Sequence, residues 1–302
     1  MSQSVSAKAP KVSVCVVTYN HERFIETCLR SLLIQVTDFD FEIIVSDDCS
    51  SDGTGAILDR LARVHPDRLR VSRHSVNRGP TQTFLATHNL ARGEYVASLD
   101  GDDFAHPGKL AMQVKLLDDH PDLVACGHRM QIVDEAGQPT GRSFPAHLAA
   151  RFDIGKAIRC GMPTFASSIM YRKQARTLLS ADFELFDWYI LTDLLMRGDA
   201  GYVPEILGSY RINSTSLTST LAQAGMRARM LEMYARRFDD LPCRRADFFA
   251  YAVRAAAVCA RLGIPVTAAH RQFLRATFTL GGAGQLLDAL TWIFQNRAAL
   301  AR

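Results

Sequence analysis

The stretch GEYVASLDGDD, residues 93–103, decides the fold of this chain. Its first part is short and apolar, which predicts a buried β-strand over residues 94–99. Three carboxylates, Asp100, Asp102 and Asp103, then fall within four residues. They repel one another unless water or a cation lies among them. Mg²⁺ or Mn²⁺ is the candidate cation, because such an ion takes oxygen ligands and commonly keeps phosphate oxygens among them. The alternative is an acidic surface turn after a strand.

Polar residues also follow two other predicted strands, which span residues 12–17 and 41–46. These polar residues are Thr18, Tyr19, Asn20, Asp47 and Asp48. In parallel α/β sheets, ligands bind outside the carboxyl ends of the strands, so we expect one site built from three strand ends. An aromatic ring, hydrogen-bond acceptors and a bound cation together suit a nucleotide. Residues 47–54 also fit a simple turn that caps a helix, and both interpretations stay open.

Helices are predicted between and after these strands, because apolar residues recur there at helical spacing. The predicted helices span residues 22–33, 55–64, 81–91 and 109–118. The resulting βαβαβ order favours a parallel sheet with right-handed crossovers. Further on, the sequence predicts a strand over residues 123–133 and a turn at 135–138. Residues 161–172 and a helix around Asp187 are expected to form the acceptor side.

Five motifs in this order resemble the family 2 glycosyltransferases, and the resemblance covers residues 11–215. The motifs lie at residues 18–20, 31–35, 45–54, 77–79 and 93–103. The resemblance implies a GT-A fold, which is an α/β fold with a Rossmann-like, mostly parallel sheet and flanking helices. It also implies a nucleotide-sugar donor, a divalent metal and an inverting reaction.

The resemblance assigns roles to individual residues of the three strand ends. Tyr19, Asp47 and Asp48 match positions that hold the nucleoside, and Thr18 and Asn20 belong to the same donor-binding motif. Asp100 and Asp102, separated by Gly101, match the D-x-D pair that contacts ribose, diphosphate and metal, and Asp103 matches a frequent third acid. Arg78 is expected to face the donor diphosphate, for which a planar guanidinium is well suited. A plain turn at 77–79 is the alternative.

The resemblance implies that Asp187 is the catalytic base. The alternative is that Asp187 caps the helix that begins there. Asp193 is a weaker candidate, because six residues along a helix lead to a different face. The chain departs from the family pattern at Phe186, Asn213 and Cys49, and the loss of a histidine at position 213 puts a phosphate or metal contact in doubt. His106, three residues past Asp103, is a further candidate to reach the donor.

The last quarter of the chain differs in charge from the rest. Residues 221–302 contain 12 arginines, no lysine and five acidic residues, whereas the whole chain has a net charge of +4. Helices are predicted there over 226–238, 246–262, 266–280 and 286–301. This composition fits a helical cap or a homodimer contact with solvated arginines. The alternative is a peripheral contact with anionic lipids at the inner face of the plasma membrane.

The predicted organisation is a flexible tail over residues 1–10, a catalytic domain over 11–220 and a helical extension over 221–302. No stretch reaches the roughly 18 apolar residues of a membrane span, and the first ten residues lack the apolar core of a signal peptide. Seven cysteines without a C-x-x-C pair indicate neither zinc nor a disulfide framework, so a cytoplasmic protein is expected.

The sequence therefore predicts transfer of a sugar from a nucleoside-diphosphate sugar, foremost a UDP-sugar, to a glycan or glycolipid acceptor. Synthesis of surface polysaccharide or lipopolysaccharide is the expected context, and nucleic acid is not an expected partner. One alternative is a nucleotidyltransferase that makes sugar nucleotides. That class needs a glycine-rich loop after the first strand, and residues 18–22 contain no glycine. The other alternative is a catalytically inactive nucleotide-sugar-binding protein.

Overall fold

The computed structural model describes residues 9–160, 163–177, 187–213 and 245–261, together with a few single residues beyond them. The chain divides into two compact units. The first unit comprises residues 1–130 and 164–210, and the second comprises 131–163 and 211–302. The predicted boundary at residue 220 lies outside the described residues.

The described residues form ten strands and seven α-helices. The strands are β1 (Val12–Thr18), β2 (Phe41–Asp47), β3 (Leu69–Arg73), β4 (Tyr95–Asp100), β5 (Phe104–Ala105), β6 (Leu123–Val133), β7 (Pro139–Phe144), β8 (Arg151–Phe152), β9 (Met170–Arg172) and β10 (Asp199–Arg211). The helices are α1 (Ile25–Leu33), α2 (Thr54–Val64), α3 (Gly79–Asn89), α4 (Lys109–Asp119), α5 (Ile154–Cys160), α6 (Asp187–Leu195) and α7 (Arg245–Arg261).

The first unit is built on a sheet with the strand order β3-β2-β1-β4-β9-β6-β10-β5. Strands β3, β2, β1 and β4 are parallel, whereas β9 runs antiparallel to both β4 and β6. β1 and β2 are buried along almost their whole length, which is typical of strands covered on both faces. The predicted α/β class and the parallel arrangement of the first strands are confirmed.

Helices cover the parallel strands, and α1 shows how. Ile25, Cys28, Leu29 and Leu32 recur at helical spacing and are all completely buried in the main core. Each buried side chain of this size contributes about 1.5–3 kcal/mol relative to exposure. The predicted helix at 22–33 begins at Ile25, and those at 55–64, 81–91 and 109–118 correspond to α2, α3 and α4.

Four strands of the first unit, β3, β5, β9 and β10, were not predicted from the sequence, and β3 and β10 are the longest of them. β3 alternates Leu69 and Val71 with arginine and serine, and only Leu69 among its five residues is buried. β10 is 13 residues long but includes glycines and a proline, which usually mark turns. Their neighbours in the sheet, rather than their own composition, make them strands.

The second unit contains a hairpin and a helix pair. The predicted turn at 135–138 is confirmed, because Asp134 N–H donates to Gln138 O at 2.9 Å and Gly137 adopts a φ of 84°. α5 packs against α7, and Arg159 forms a partly buried ion pair with Asp247. α7 corresponds to the helix predicted at 246–262, whereas the other three predicted C-terminal helices fall largely outside the described residues.

None of the helices that the structure describes combines the length and the apolar composition needed to cross a bilayer.

Candidate functional site

The carboxyl ends of β1, β2 and β4 lie side by side at one edge of the sheet, here called the carboxyl edge. Thr18 pairs with Asp47 across β1 and β2, and Val17 pairs with Asp100 across β1 and β4. Gly101 N–H donates to Val17 O at 2.9 Å, so the acidic loop stays in contact with β1 beyond the last strand pair. The structure therefore brings together the three sets of polar residues that the sequence predicted to form one site.

Tyr19 presents its ring at this edge, with 45% of the residue exposed. Asn20 holds the backbone beside it in the left-handed region, with a φ of 53°. Its N–H donates to Ser50 Oγ and its Oδ1 accepts from Ser51 N–H, both at 2.9 Å. An exposed ring on a fixed backbone can serve as a stacking surface for a base at little entropic cost.

Asp48 fixes the start of α3. Its carboxylate accepts the N–H groups of Arg78 at 2.8 Å and Gly79 at 2.9 Å, and it lies 3.1 Å from His74 Nδ1. Burial alone would raise the pKa of Asp48, but hydrogen bonds from Arg78 N–H, Thr83, His74 and Gly79 N–H hold this pKa below its usual value. The carboxylate therefore stays ionised.

Asp47 is held by its own loop, because Ser50 donates both its N–H and its hydroxyl to Asp47 Oδ1. Arg78 precedes α3 directly, and its side chain is exposed there. His74, which the sequence did not single out, contacts Asp48. No local signal distinguishes it, because the two residues meet only through the fold.

The acidic loop after β4 is narrow. A Cβ atom at Gly101 would lie 2.7 Å from Thr18 Oγ1 and 2.8 Å from His21 Nδ1, so only glycine fits between the two carboxylates. Asp100 and Asp102 are partly exposed, whereas Asp103 is only 1% exposed. Asp103 as a metal ligand stays a prediction, and its burial sets it apart from the other two.

A buried lysine lies behind this loop. Lys109 is completely buried at the start of α4, and its ammonium donates to Ser167 O. Burial lowers the pKa of Lys109 to about 8, and the nearby charge of Asp103 opposes that shift. Ser167 in turn accepts Asp100 N–H at 3.0 Å with its hydroxyl. Sequence reasoning missed both residues.

Asp100 and Asp102 fit a cation that arrives together with a diphosphate. Within the described ranges, no three histidine, cysteine or acidic side chains converge as a metal-ligating group. A resident all-protein site is therefore not formed by these residues. Mg²⁺ and Mn²⁺ in diphosphate complexes, however, need only one or two carboxylates, because phosphate oxygens and water complete the coordination. Two partly exposed carboxylates at a strand end meet that requirement.

The candidate residues outside the acidic loop differ in their surroundings. Asp187 is the first residue of α6, and its side chain lies outside the described part, so its role as base stays a prediction. Asp193 is 7% exposed, lies 3.7 Å from Arg197 Nη1 and accepts the Thr177 hydroxyl at 3.4 Å. His106 lies 2.8 Å from Ser209 Oγ and so connects to β10. Asp193 and His106 therefore both have protein partners, and their suggested roles in the site stay predictions.

Comparison with known sequences gives one family. Residues 13–177 match the model described as "Glycosyl transferase family 2". The uncharacterized protein Rv1520 of Mycobacterium tuberculosis is 32% identical over 203 residues, which is 66% of this chain and 58% of that protein. The abequosyltransferase RfbV of Salmonella typhimurium is 34% identical over 119 residues, 39% of this chain and 36% of RfbV. The chain thus spans less than two thirds of these relatives.

Solved structures give the same fold. S. aureus TarS 1-349 in complex with UDP-GlcNAc superposes with a TM-score of 0.64 at 20% identity, covering 95% of this chain and 81% of that one. The mannosyltransferase PcManGT from Pyrobaculum calidifontis, in complex with GDP-Man and Mn²⁺, superposes with a TM-score of 0.54 at 18% identity, covering 98% and 77%. The expected GT-A fold is confirmed.

Proposed function

This chain belongs to glycosyl transferase family 2, and we propose that it transfers a sugar from a nucleoside-diphosphate sugar to an acceptor hydroxyl with inversion. The observation that carries the proposal is the convergence of an exposed Tyr19, an ionised Asp48 and two partly exposed carboxylates at the carboxyl edge. We take a UDP-sugar as the donor, which agrees with the UDP-GlcNAc that the similar S. aureus protein binds.

The donor would lie across the three strand ends. The ring of Tyr19 would stack on the base, and the carboxylate of Asp48 would accept a hydrogen bond from an N–H group of the base. Asp100 and Asp102 would hold Mg²⁺ or Mn²⁺, and the exposed guanidinium of Arg78 would face the diphosphate. The metal, when bound, neutralises the diphosphate and makes it a better leaving group.

Asp187 would take the proton from the acceptor hydroxyl as its oxygen attacks the anomeric carbon from the face opposite the leaving group. A single displacement breaks the bond to the nucleoside diphosphate and inverts the anomeric configuration. No enzymic carboxylate acts as a nucleophile in this scheme. The base therefore needs only to reach the acceptor oxygen, and Asp193, which is buried beside Arg197 and Thr177, would be a poor substitute.

Product analysis distinguishes the candidate functions. The chain is incubated with a panel of nucleotide sugars, with Mn²⁺ and without added metal, and the nucleotide products are separated. Release of nucleoside diphosphate supports transfer, with hydrolysis of the donor as its side reaction. Formation or consumption of pyrophosphate would favour a nucleotidyltransferase. Binding of a nucleotide sugar without turnover would favour an inactive binding protein and would overturn the proposal.

The acceptor is proposed to be a glycan or glycolipid of surface polysaccharide or lipopolysaccharide synthesis, handled at the cytoplasmic face of the membrane. The similar Salmonella protein, an abequosyltransferase, supports a sugar-transfer role. A peripheral membrane contact through the arginine-rich residues 221–302 is a further prediction. Sedimentation of the intact chain with anionic vesicles at low and high salt tests it, because salt screens such a contact. Equal sedimentation with neutral vesicles would contradict it.

A further inference from the structure

A short buried turn, residues 166–168, lies between helix α4 and the acidic loop and forms hydrogen bonds with both. Two side chains of α4 hold consecutive carbonyl groups of this turn. Lys109 Nζ donates to Ser167 O, and Gln113 Nε2 donates to Ser168 O at 2.8 Å. All four of these residues are at most 1% exposed. Because the two donors are one helical turn apart, they fix both the position and the direction of the turn.

The other side of the turn contacts Asp100 at two atoms. The Ser167 hydroxyl accepts Asp100 N–H at 3.0 Å and lies 3.3 Å from Asp100 Oδ2, to which it donates. The turn is also tied to β4, because Ser98 N–H donates to Ile169 O at 3.0 Å. A single serine hydroxyl thus joins the backbone and the carboxylate of the first acid in the loop.

We propose that Ser167 is a positioning residue, which orients the carboxylate of Asp100 towards the cation that a donor diphosphate brings. Lys109 and Gln113 support this role by fixing the turn that carries Ser167. The inference rests on the proposed function, since it concerns the same donor site. Ordering a partly exposed carboxylate in advance removes part of the entropic cost of binding.

Lys109 adds an electrostatic contribution to the same arrangement. Three carboxylates within four residues repel one another. The ammonium of Lys109 is completely buried and interacts electrostatically with Asp103 and Asp100, so it offsets that repulsion without occupying the solvent side where a divalent cation would bind. The lysine thus supplies the cationic neighbour that the acidic cluster requires, and the exposed side of Asp100 and Asp102 keeps room for a divalent ion.

The chain offers a matched pair of variants for the test. Ser167→Ala removes the hydroxyl that contacts Asp100. Ser168→Ala removes the neighbouring hydroxyl of the same turn, which is equally buried but donates to Phe165 O at 2.7 Å. Calorimetry measures the binding of UDP, and in parallel of GDP, at increasing Mn²⁺ concentration. Melting temperatures are measured for both variants.

We expect Ser167→Ala to weaken Mn²⁺-dependent binding by about tenfold, the effect of losing one hydrogen bond to a charged group. The Mn²⁺-dependent affinity of Ser168→Ala should stay within about twofold of that of the unchanged chain, because the hydroxyl that this variant loses donates to Phe165 O and not to the acidic loop. Both variants should stay folded, and Ser167→Ala should melt a few degrees lower, since it loses two hydrogen bonds where Ser168→Ala loses one. An equal loss of binding in the two variants, or no loss in Ser167→Ala, would overturn the inference.

Crystal structures of the two variants provide a readout that does not depend on the donor. The Asp100 carboxylate should leave its present orientation in Ser167→Ala and keep it in Ser168→Ala. An unchanged Asp100 in Ser167→Ala would overturn the inference. Absence of nucleoside-diphosphate binding by the unchanged chain would instead sink the proposed function, and the orientation of Asp100 would then decide the inference alone.

Discussion

The carboxylates at the two ends of strand β2 have different hydrogen-bond partners. Near its start, at the edge where the parallel strands begin, Glu42 is bound by Arg70 at 3.0 Å and by Arg92 at 2.6 Å. Ser13 adds a hydroxyl donor at 2.7 Å. Just past its other end, Asp48 is bound by two backbone N–H groups and lies beside a histidine.

The difference lies in which donors hold the charge. Two guanidinium groups cancel the charge of Glu42, so that its contribution is to stability. Backbone amides orient Asp48 without adding a full positive charge, and a serine hydroxyl does the same for Asp100. Asp193 and Asp47 each lie near one arginine, at 3.7 and 3.9 Å, which is a looser contact than either pair of Glu42. A carboxylate neutralised by arginine is therefore expected to be structural, and one held by neutral donors to be available for a ligand.

Asp187→Asn gives the largest expected effect. Turnover should fall by about 10² to 10⁴-fold, the usual contribution of a general base, while donor affinity and melting temperature stay near those of the unchanged chain. Asparagine caps helices about as well as aspartate, so a mere capping role predicts no such loss. Donor affinity and transfer rate are measured on the same preparation.

Asp193→Asn is the control on the same helix. Because Asp193 is buried and contacts Arg197 and Thr177, its substitution should affect stability and leave the rate within a few-fold of the unchanged chain. A large loss of turnover in Asp193→Asn together with a normal rate in Asp187→Asn would move the base to Asp193. It would also break the distinction between the two kinds of carboxylate.

Asp102→Asn should have the second largest effect. Mn²⁺-dependent binding of UDP or GDP should weaken by about 10²-fold, because a metal interaction of several kcal/mol depends on this carboxylate. The fold should persist, since Asp102 lies partly exposed beyond the end of β4. Calorimetry with and without Mn²⁺ measures the effect. Unchanged metal-dependent binding would remove Asp102 from the proposed site.

Much of the fold could be predicted from local sequence, because β1, β2, β4 and the helices between them show clear apolar periods. β3 and β10 could not, since their residues alternate irregularly or include glycine and proline. What makes them strands is a partner in the sheet, and a single sequence does not show which segments pair.

The site was predicted only in part, for the same reason. Tyr19, Asp48 and Asp100 follow strands, and the family motifs mark their positions. Ser167 meets Asp100 across 67 residues of sequence, and Lys109 meets Ser167 across 58. Neither lies in a local pattern that indicates ligand binding. The residues that orient the acids are therefore visible only once the chain is folded.

Glu42→Gln tests the predicted structural role of the carboxylate near the start of β2. It should lower the free energy of unfolding by about 2 kcal/mol, because it weakens charged hydrogen bonds to a buried side chain whose arginine partners are themselves partly exposed. Nucleoside-diphosphate binding should not change. The matched control is Glu94→Gln, whose carboxylate is about half exposed and pairs with Lys11 at 3.1 Å. Exposed pairs contribute little, so this control should lose less than about 1 kcal/mol.

Urea unfolding at pH 7 measures both variants. Equal losses in Glu42→Gln and Glu94→Gln would show that the two arginines add nothing beyond a surface ion pair. A loss of nucleotide binding in Glu42→Gln, with the fold intact, would contradict the separation between the two ends of β2.

The pH dependence of the stability lost in Glu42→Gln is the smallest effect that we expect. Burial alone would raise the pKa of Glu42, but hydrogen bonds from Arg92, Ser13 and Arg70 outweigh it and hold this pKa below its usual value. The unfolded chain therefore binds more protons at Glu42 than the folded chain between the folded pKa and the usual glutamate pKa of about 4.3. The stabilisation from Glu42 is complete above the unfolded pKa, and it is lost as the pH falls through the folded pKa.

Other carboxylates with lowered pKa values, such as Asp48 and Asp118, titrate in both proteins, so their effects cancel in the difference between the unchanged chain and Glu42→Gln. We expect that difference in unfolding free energy to be constant from about pH 7 to 5 and to shrink below about pH 4. A difference that stays constant down to about pH 3 would mean that the arginines do not favour the ionised form of Glu42 in the folded chain.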